Sequence, residues 1–385
     1  MKTPPALRLS KSIVLILAVL ALFLTAAIPY GRKGIDCTEI QTLTDIDSLG
    51  VVTFSTGTMF ADTEVGGLSG IAYDERRGVY YAISDDREVG RYYTVTIDLS
   101  DASLDDGDVA FQDVTFLSAK GNASFPAGTL DPEDIDLPRP GFLYISSEGD
   151  ADADPVINPF VNRFNLNGKL THELPVPQKF LPNPQGTQGV RDNLAFESLT
   201  STPNAHLLYT ATENALVQDG PIATLTDASP SRVLEYDLNH KRPLAEYVYN
   251  VSPIPQAPIP PDSFADNGLV DLQALDNCGT LLAMERSFAV GVGNTVVLFE
   301  TTTRGATDVS DQMALNGPYD PMPKTLVADL EQDLGVVPDN VEGMILGPVL
   351  PDGRIALILV SDNNFNPSQT TQFIALAVEL SPVSE

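Results

Sequence analysis

Ser69-Gly-Ile-Ala-Tyr73, then a polar turn, then Tyr80-Tyr-Ala-Ile-Ser-Asp-Asp86 is the pattern from which this chain's architecture follows. A short apolar strand is followed by a stronger one that ends in carboxylates, with the period-two alternation of strands. The same sentence recurs as Glu133-Asp-Ile-Asp-Leu137 with Phe142-Leu-Tyr-Ile-Ser-Ser-Glu148, and as Glu197-Ser-Leu-Thr200 with Leu207-Leu-Tyr-Thr-Ala-Thr-Glu213. It returns as Asp271-Leu-Gln-Ala-Leu275 with Leu281-Leu-Ala-Met-Glu285, and as Glu342-Gly-Met-Ile-Leu346 with Ala356-Leu-Ile-Leu-Val-Ser-Asp-Asn363. The intervals from Ser69 through Glu133, Glu197, Asp271 and Glu342 are 64, 64, 74 and 71 residues, a spacing that suits four-stranded blades with generous loops.

The expected fold is therefore an all-β propeller with five repeats, leaving room for five or six blades. Third strands follow each pair, as in Tyr92–Asp98 and Thr295–Phe299, and 30 prolines with 28 glycines mark many turns. The last repeat runs out of chain, so the N-terminal stretch from Ile40 to Phe54 is expected to supply its missing edge strand and close the ring.

Composition bounds the function. The chain carries 52 acidic against 22 basic residues, a net charge of −30. Such a surface opposes nucleic acid, whose phosphates require basic patches, and it holds a polyanionic substrate only through a bound cation or a local Arg/Lys cluster. The simpler alternative is that the charge keeps an exported protein soluble.

Lys2, Arg8 and Lys11 precede an uncharged apolar run from Ile13 to Ile28, so residues 1–30 read as a signal peptide or an N-terminal membrane anchor, with residues 13–28 as the possible tether. Residues 31–385 are then one exported propeller domain, periplasmic, secreted or held on the outside, expected to act as a monomer. Cys37 and Cys278 either pair in that oxidising compartment or stay as two free thiols, and zinc spacings are absent.

A residue type that recurs at one repeat position becomes a ring around the central channel. Here it is acidic: Glu133, Glu197, Asp271 and Glu342 open first strands, while Asp85, Asp86, Glu148, Glu213, Glu285 and Asp362 end second strands. Like charges converging on one mouth repel and raise one another's pKa, which is relieved if a hard cation sits among them. Calcium is the natural cation, since it accepts six to eight oxygens, and His172, His206 and His240 have no transition-metal spacing. The expected ligands are Asp85, Glu133, Glu148, Glu197, Glu213, Glu285, Glu342 and Asp362, with Asn214, Asn363 and Asn364 as neutral oxygens. Otherwise the same carboxylates cap strand ends.

Arginines are scarce enough to single out. Arg87, Arg91, Arg191 and Arg286 flank these positions and either clamp phosphate oxygens or neutralise the acidic ring. The Asp150/Asp152/Asp154 and Asp101–Asp108 clusters match no EF-hand and read as solvated loops. Gly67-Leu-Ser69-Gly-Ile71 misses the G-x-S-x-G elbow at its last position, and Cys278 has no adjacent histidine, which leaves a metal-assisted water as the route to hydrolysis.

At family level, Gly66-Gly-Leu-Ser-Gly-Ile-Ala-Tyr-Asp74, Asp131-Pro-Glu-Asp-Ile135, Arg191-Asp-Asn-Leu-Ala-Phe-Glu-Ser-Leu199, Met284-Glu-Arg-Ser-Phe288, Asn340-Val-Glu-Gly-Met344 and Ser361-Asp-Asn-Asn-Phe365 resemble the phytase-like family described as "esterase-like activity of phytase". The resemblance spans residues 60 to 380, with one departure at Asp134, where the family usually has glycine. It implies an exported calcium-dependent hydrolase of a small phosphate ester, with Glu197, Glu213, Arg87, Arg191 and Arg286 as catalytic or phosphate-steering groups. Two other readings remain: a calcium-stabilised propeller binding a sugar or protein at the cell surface, and a carboxylic-ester or lactone hydrolase.

Overall fold

The computed structural model describes Met1 and residues 37–383; the leader or anchor at 1–30, its tether at 13–28 and the boundary at residue 31 lie outside the described residues. The chain opens with β1 (Gln41–Ser55) and a small hairpin, β2 (Met59–Phe60) and β3 (Thr63–Glu64). Blade one is β4 (Leu68–Asp74), β5 (Val79–Ser84), β6 (Arg91–Ile97) and β7 (Val109–Phe116). Blade two is β8 (Pro132–Arg139), β9 (Phe142–Ser147), β10 (Phe160–Asn165) and β11 (Leu170–Glu173). Blade three is β12 (Phe196–Ser201), β13 (Leu207–Thr212), β14 (Ser229–Asp237) and β15 (Arg242–Val251). Blade four is β16 (Ala265–Ala274), β17 (Thr280–Ala289), β18 (Gly293–Thr302) and β19 (Lys324–Asp329). The fifth combines β20 (Val341–Val349), β21 (Ile355–Ser361) and β22 (Thr370–Pro382) with β1 as its outer strand.

The propeller thus has five blades, and the strand expected at Ile40–Phe54 does close the ring. It runs antiparallel to β22 from Gln41 opposite Pro382 to Ser55 opposite Thr370, so the longest edge of the last blade is paired. Cys37 and Cys278 form a disulfide that ties the segment before β1 to the β16–β17 turn of blade four.

Each blade is covered on both faces by its neighbours, which explains second strands such as Ile355-Ala-Leu-Ile-Leu-Val-Ser361 that are apolar almost throughout. Leu68, Ile71 and Tyr80 of blade one pack with Ile358, Val360 and Phe373 of blade five, and Leu143 and Ile145 of blade two meet Tyr81 and Ile83 of blade one. Each fully buried side chain of this size contributes about 1.5–3 kcal/mol.

The face of blade three is different. Fully buried Arg232 is bidentate to Asp219, with Nε–Oδ2 2.6 Å and Nη2–Oδ1 3.0 Å, and its Nη1 lies 2.9 Å from Glu246, which also meets Lys179 at 3.0 Å. Asp219 additionally accepts from Leu315 N, so the network pins the long β18–β19 loop against blade three. Removing one partner leaves uncompensated buried charge.

Two outcomes follow from these closures. Cys37→Ser/Cys278→Ser is expected to lose about 2–4 kcal/mol, because the bridge closes a very long loop, and to lower the melting midpoint by several degrees; an unchanged melt would remove the disulfide from the account of closure. Arg232→Ala is expected to cost about 3–5 kcal/mol in denaturant unfolding.

Candidate metal centre

The five innermost strands share one irregularity. The ladder between first and second strand slips at the same level in every blade: between Leu68 and Gly70, Pro132 and Ile135, Phe196 and Ser198, Leu269 and Asp271, and Val341 and Gly343. Such bulges re-aim side chains. The bulged level holds Ser69, Glu133, Glu197, Val270 and Glu342. Asp271, expected in that ring, belongs one residue deeper.

A second ring lies where the second strands leave the sheet. Asp85 N donates to Gly67 O at 2.8 Å, Glu148 N to Asp131 O at 3.0 Å, Glu213 N to Ala195 O at 2.9 Å and Asp362 N to Asn340 O at 2.9 Å. In blade four the equivalent residue, opposite Gly268, is Arg286. The expected ligand Glu285 is one position off. Because strand side chains alternate faces, that single step turns it away from the channel. Glu285 instead accepts from Tyr249 Oη at 2.7 Å, Ser252 N at 3.0 Å and Asn267 Nδ2 at 3.0 Å and pairs with Lys324, at the seam of blades three and four.

Arg286 therefore stands within the acidic ring. Its guanidinium is 3.1 Å from Glu342, 3.4 Å from Asp266 and 3.8 Å from Glu213, and these carboxylates hold it firmly protonated despite burial. Gly268 makes the contact possible, since a Cβ there would meet Glu213 Oε1 at 1.9 Å.

Opposite this neutralised sector, carboxylates crowd together without enough cations. Asp131, Glu133 and Glu148, all buried, each offer an oxygen within 4.8 Å of the others. Arg87 pairs with Asp131, Ala195 N donates to Glu148, and Glu148 and Glu197 share a hydrogen bond. Burial, reinforced by the neighbouring carboxylates, pushes Glu133, Glu197 and Asp362 well above the usual range. The same causes push Asp85 to about 7, whereas Glu148, despite donors that pull it down, is pushed by burial to about 7 and Glu213 to about 8. Asp85 Oδ1 is buried with no hydrogen-bond partner. Oxygen-only donors, an unpartnered carboxylate oxygen and no histidine among them fit a hard divalent cation, which Asp131, Glu133 and Glu148 would hold with Asp85 beside them.

One level deeper, Asp134 and Asp271 share a hydrogen bond across the channel, and burial holds both protonation equilibria far above normal. Asp134 accepts from Leu199 N of blade three and Ile135 N, Asp271 from Met344 N of blade five and Leu272 N. This pair clamps blades together.

Other expected site residues are occupied elsewhere. Arg191 gives its Nε to Ala215 O at 3.0 Å and its Nη2 to Gly220 O at 2.6 Å, so it braces a loop and does not face the ring. Arg91 is buried against Asp86, Tyr93 and Glu64 O. Asn214 bonds Asn267 O and Ala223 N, and Asn363 links Gly67 N to blade five. Asp131 was not among the expected ligands, although it stands two residues before Glu133 on the same strand approach.

Two cavities open from the rings. One of about 350 Å³ is lined by Asp85, Arg87, Asp131, Glu133 and Phe365; the other, about 500 Å³, by Arg286, Glu342, Asp266, Phe264, Phe288 and Asn294, and both reach Asn193 and Asn364. The second joins amide side chains to two aromatic rings 6.3 Å apart.

A propeller whose channel mouth gathers buried carboxylates around one candidate cation site is the class this geometry defines. The family model "Esterase-like activity of phytase" (Phytase-like) matches residues 63–365, and the chain belongs to that family. No curated protein matches the sequence. Among solved structures, an endo-arabinase from Bacteroides thetaiotaomicron VPI-5482 is similar with TM-score 0.41 and 13% identity over 86% of this chain and 97% of that one. The Dos1 propeller is similar with TM-score 0.33 and 9% identity over 80% and 67%.

Carboxylates whose folded pKa values lie above their unfolded ones bind extra protons in the native state. Their contribution is fully present below the unfolded values near 4 and is lost as pH rises towards 7 to 8. Metal-free protein is therefore expected to melt at falling temperatures from pH 5 to pH 8, with calcium restoring the midpoint at pH 8 far more than at pH 5. A metal-free midpoint that rises over this range would contradict the assignment.

Proposed function

We propose that this protein is an exported, calcium-dependent phosphoester hydrolase of phytase-like type acting at the acidic mouth. The observation that carries the reading is the Asp131–Glu133–Glu148 cluster beside Arg87, opening into a cavity large enough for a phosphate ester. Membership of the phytase-like family supports hydrolysis at the coarse level. The disulfide fits an oxidising compartment, and among the described residues no helix is long and apolar enough to cross a membrane.

Calcium, when bound, supplies Lewis-acid polarisation of a phosphate oxygen and an activated water. The protein's residues do the rest. Asp131, Glu133 and Glu148 would hold the ion, and Arg87, 42% exposed at its side chain, turns from Asp131 to a phosphate oxygen of the substrate. Glu213, its pKa pushed by burial to about 8, would be the group that donates a proton to a leaving alkoxide. Glu197 is the protonated partner of its hydrogen bond with Glu148; a cation on Glu148 would displace that proton, and Glu197, then ionised, would be the group that takes one from water. Arg286 holds Glu213 and Glu342 in place, so its role is positioning. The larger cavity offers amides, Phe264 and Phe288 to the organic half of the ester, with Arg286 as its sole cation among the described lining residues. This favours a small monoester over a polyphosphate.

The same amide-and-aromatic cavity supports a second reading, a calcium-stabilised propeller that binds a neutral, hydroxyl-rich ligand without turnover. Phosphate release from phytate and from an aryl phosphate separates the two. Calcium-dependent release is expected with the aryl phosphate, falling at least about 100-fold in Glu133→Gln and Glu197→Gln, and Arg87→Lys is expected to raise KM more than it lowers kcat. Silence on both substrates, with calcium still raising the melting midpoint, would favour the binding protein.

A further inference from the structure

At the other end of the propeller lies a site of opposite charge. The acidic rings sit where first strands begin and second strands end; Arg139 and Phe142 face each other at the far ends of β8 and β9. Between them and the β14–β15 turn of blade three is a cavity of about 290 Å³, lined by Arg139, Arg163, Lys241, Phe142, Tyr144 and Leu238 among others.

Its cations have no carboxylate partner among the described residues, a state shared with Arg76, Lys169, Arg191 and Arg242, but here three of them line one cavity. Arg87, Arg232, Arg286, Arg354, Lys179 and Lys324 all lie within 4 Å of a carboxylate. Among the described residues, Arg139, Arg163 and Lys241 form no ion pair, in a protein with a 52 to 22 excess of acids. Of the nearby carboxylates, Asp237 accepts from the backbone of Asn239 and His240 and from the His240 ring, Glu173 pairs with Lys120, and Asp136, beside Tyr144, is bonded to Ser201 with its pKa pushed by burial to about 7.

The site is also built. Arg163 lies over the Phe142 ring, 4.4 Å from its centroid, and its Nε is fixed by Thr171 Oγ1 at 3.1 Å. Arg139 is held by Ala205 O at 3.0 Å and Asn239 Oδ1 at 3.2 Å. Lys241 is presented by a turn residue in the left-handed region, φ 54°. A positive potential reaches His172 on β11, whose pKa is lowered by burial and then by Lys241, Arg163 and Lys120. Converging, uncompensated cations beside exposed aromatic surface are the complement of an oxyanion attached to a flat apolar group.

We propose that the Arg139–Arg163–Lys241 pocket binds a small organic anion, its oxyanion head among the three cations and its apolar part against Phe142, Tyr144 and Leu238. The site is separate from the acidic mouth and needs no metal.

Calorimetric titration of metal-stripped full-length protein with phenyl phosphate, benzoate and inorganic phosphate tests this, because without a cation the acidic mouth repels anions. Phenyl phosphate is expected to bind, inorganic phosphate to compete more weakly, and benzoate to report whether a carboxylate head suffices. Binding is expected to weaken about tenfold or more in Arg163→Gln/Lys241→Gln and to persist in Glu133→Gln. Lys241→Asn, which tolerates the left-handed backbone, gives a second, conservative loss of charge with the same expected direction. Absence of binding by all three anions to 10 mM (roughly the weakest binding a built site would show), or binding indifferent to Lys241→Asn and the double variant, would overturn the proposal.

Discussion

Electrostatic repulsion among buried carboxylates is the constraint around which this propeller is arranged. Five inner strands converge on one channel, and four of the five second strands deliver a carboxylate there as they leave the sheet. Desolvation and proximity make that arrangement costly when every group is ionised. The molecule answers in three ways. Arg286 neutralises one sector; protons shared between Glu148 and Glu197, and between Asp134 and Asp271, relieve others; and the Asp131–Glu133–Glu148 sector is the one whose oxygens would suit a cation.

The scaffold tolerates this because stability is supplied elsewhere. Apolar seams between blades, the β1–β22 pairing and the Cys37–Cys278 bridge hold the ring from outside, so the mouth is free to be electrostatically strained. Glycines at the rim let carboxylates approach the backbone closely. A Cβ at Gly67 would lie 1.9 Å from Asp85 Oδ1, just as one at Gly268 would meet Glu213. The unpaired Arg139, Arg163 and Lys241 gather around one cavity at the opposite hairpins.

The five repeats, their four-stranded character and closure by the N-terminal strand were legible in the sequence, because period-two alternation and repeat spacing are local signals that burial between blades preserves. So was the acidic mouth, through Asp85, Glu133, Glu148, Glu197, Glu213, Glu342 and Asp362. What local pattern could not supply was the phase within each repeat. Met284-Glu-Arg286 reads like the other strand ends, yet the slip that recurs at one level in all five blades counts Arg286, and not Glu285, into the channel. The same slip places Val270 in the ring and sends Asp271 deeper.

Sequence alone determined the fold class, the excess of acid and the residue types available to a site. Only tertiary structure decided which of them meet: that Asp131 joins Glu133 and Glu148, that Arg191 spends its donors on backbone carbonyls, and that Cys37 reaches Cys278. The reason is geometric. A strand turns its side chain through half a revolution at every residue, so one bulge reverses inside and outside, and a bulge is set by the neighbouring strands and blades.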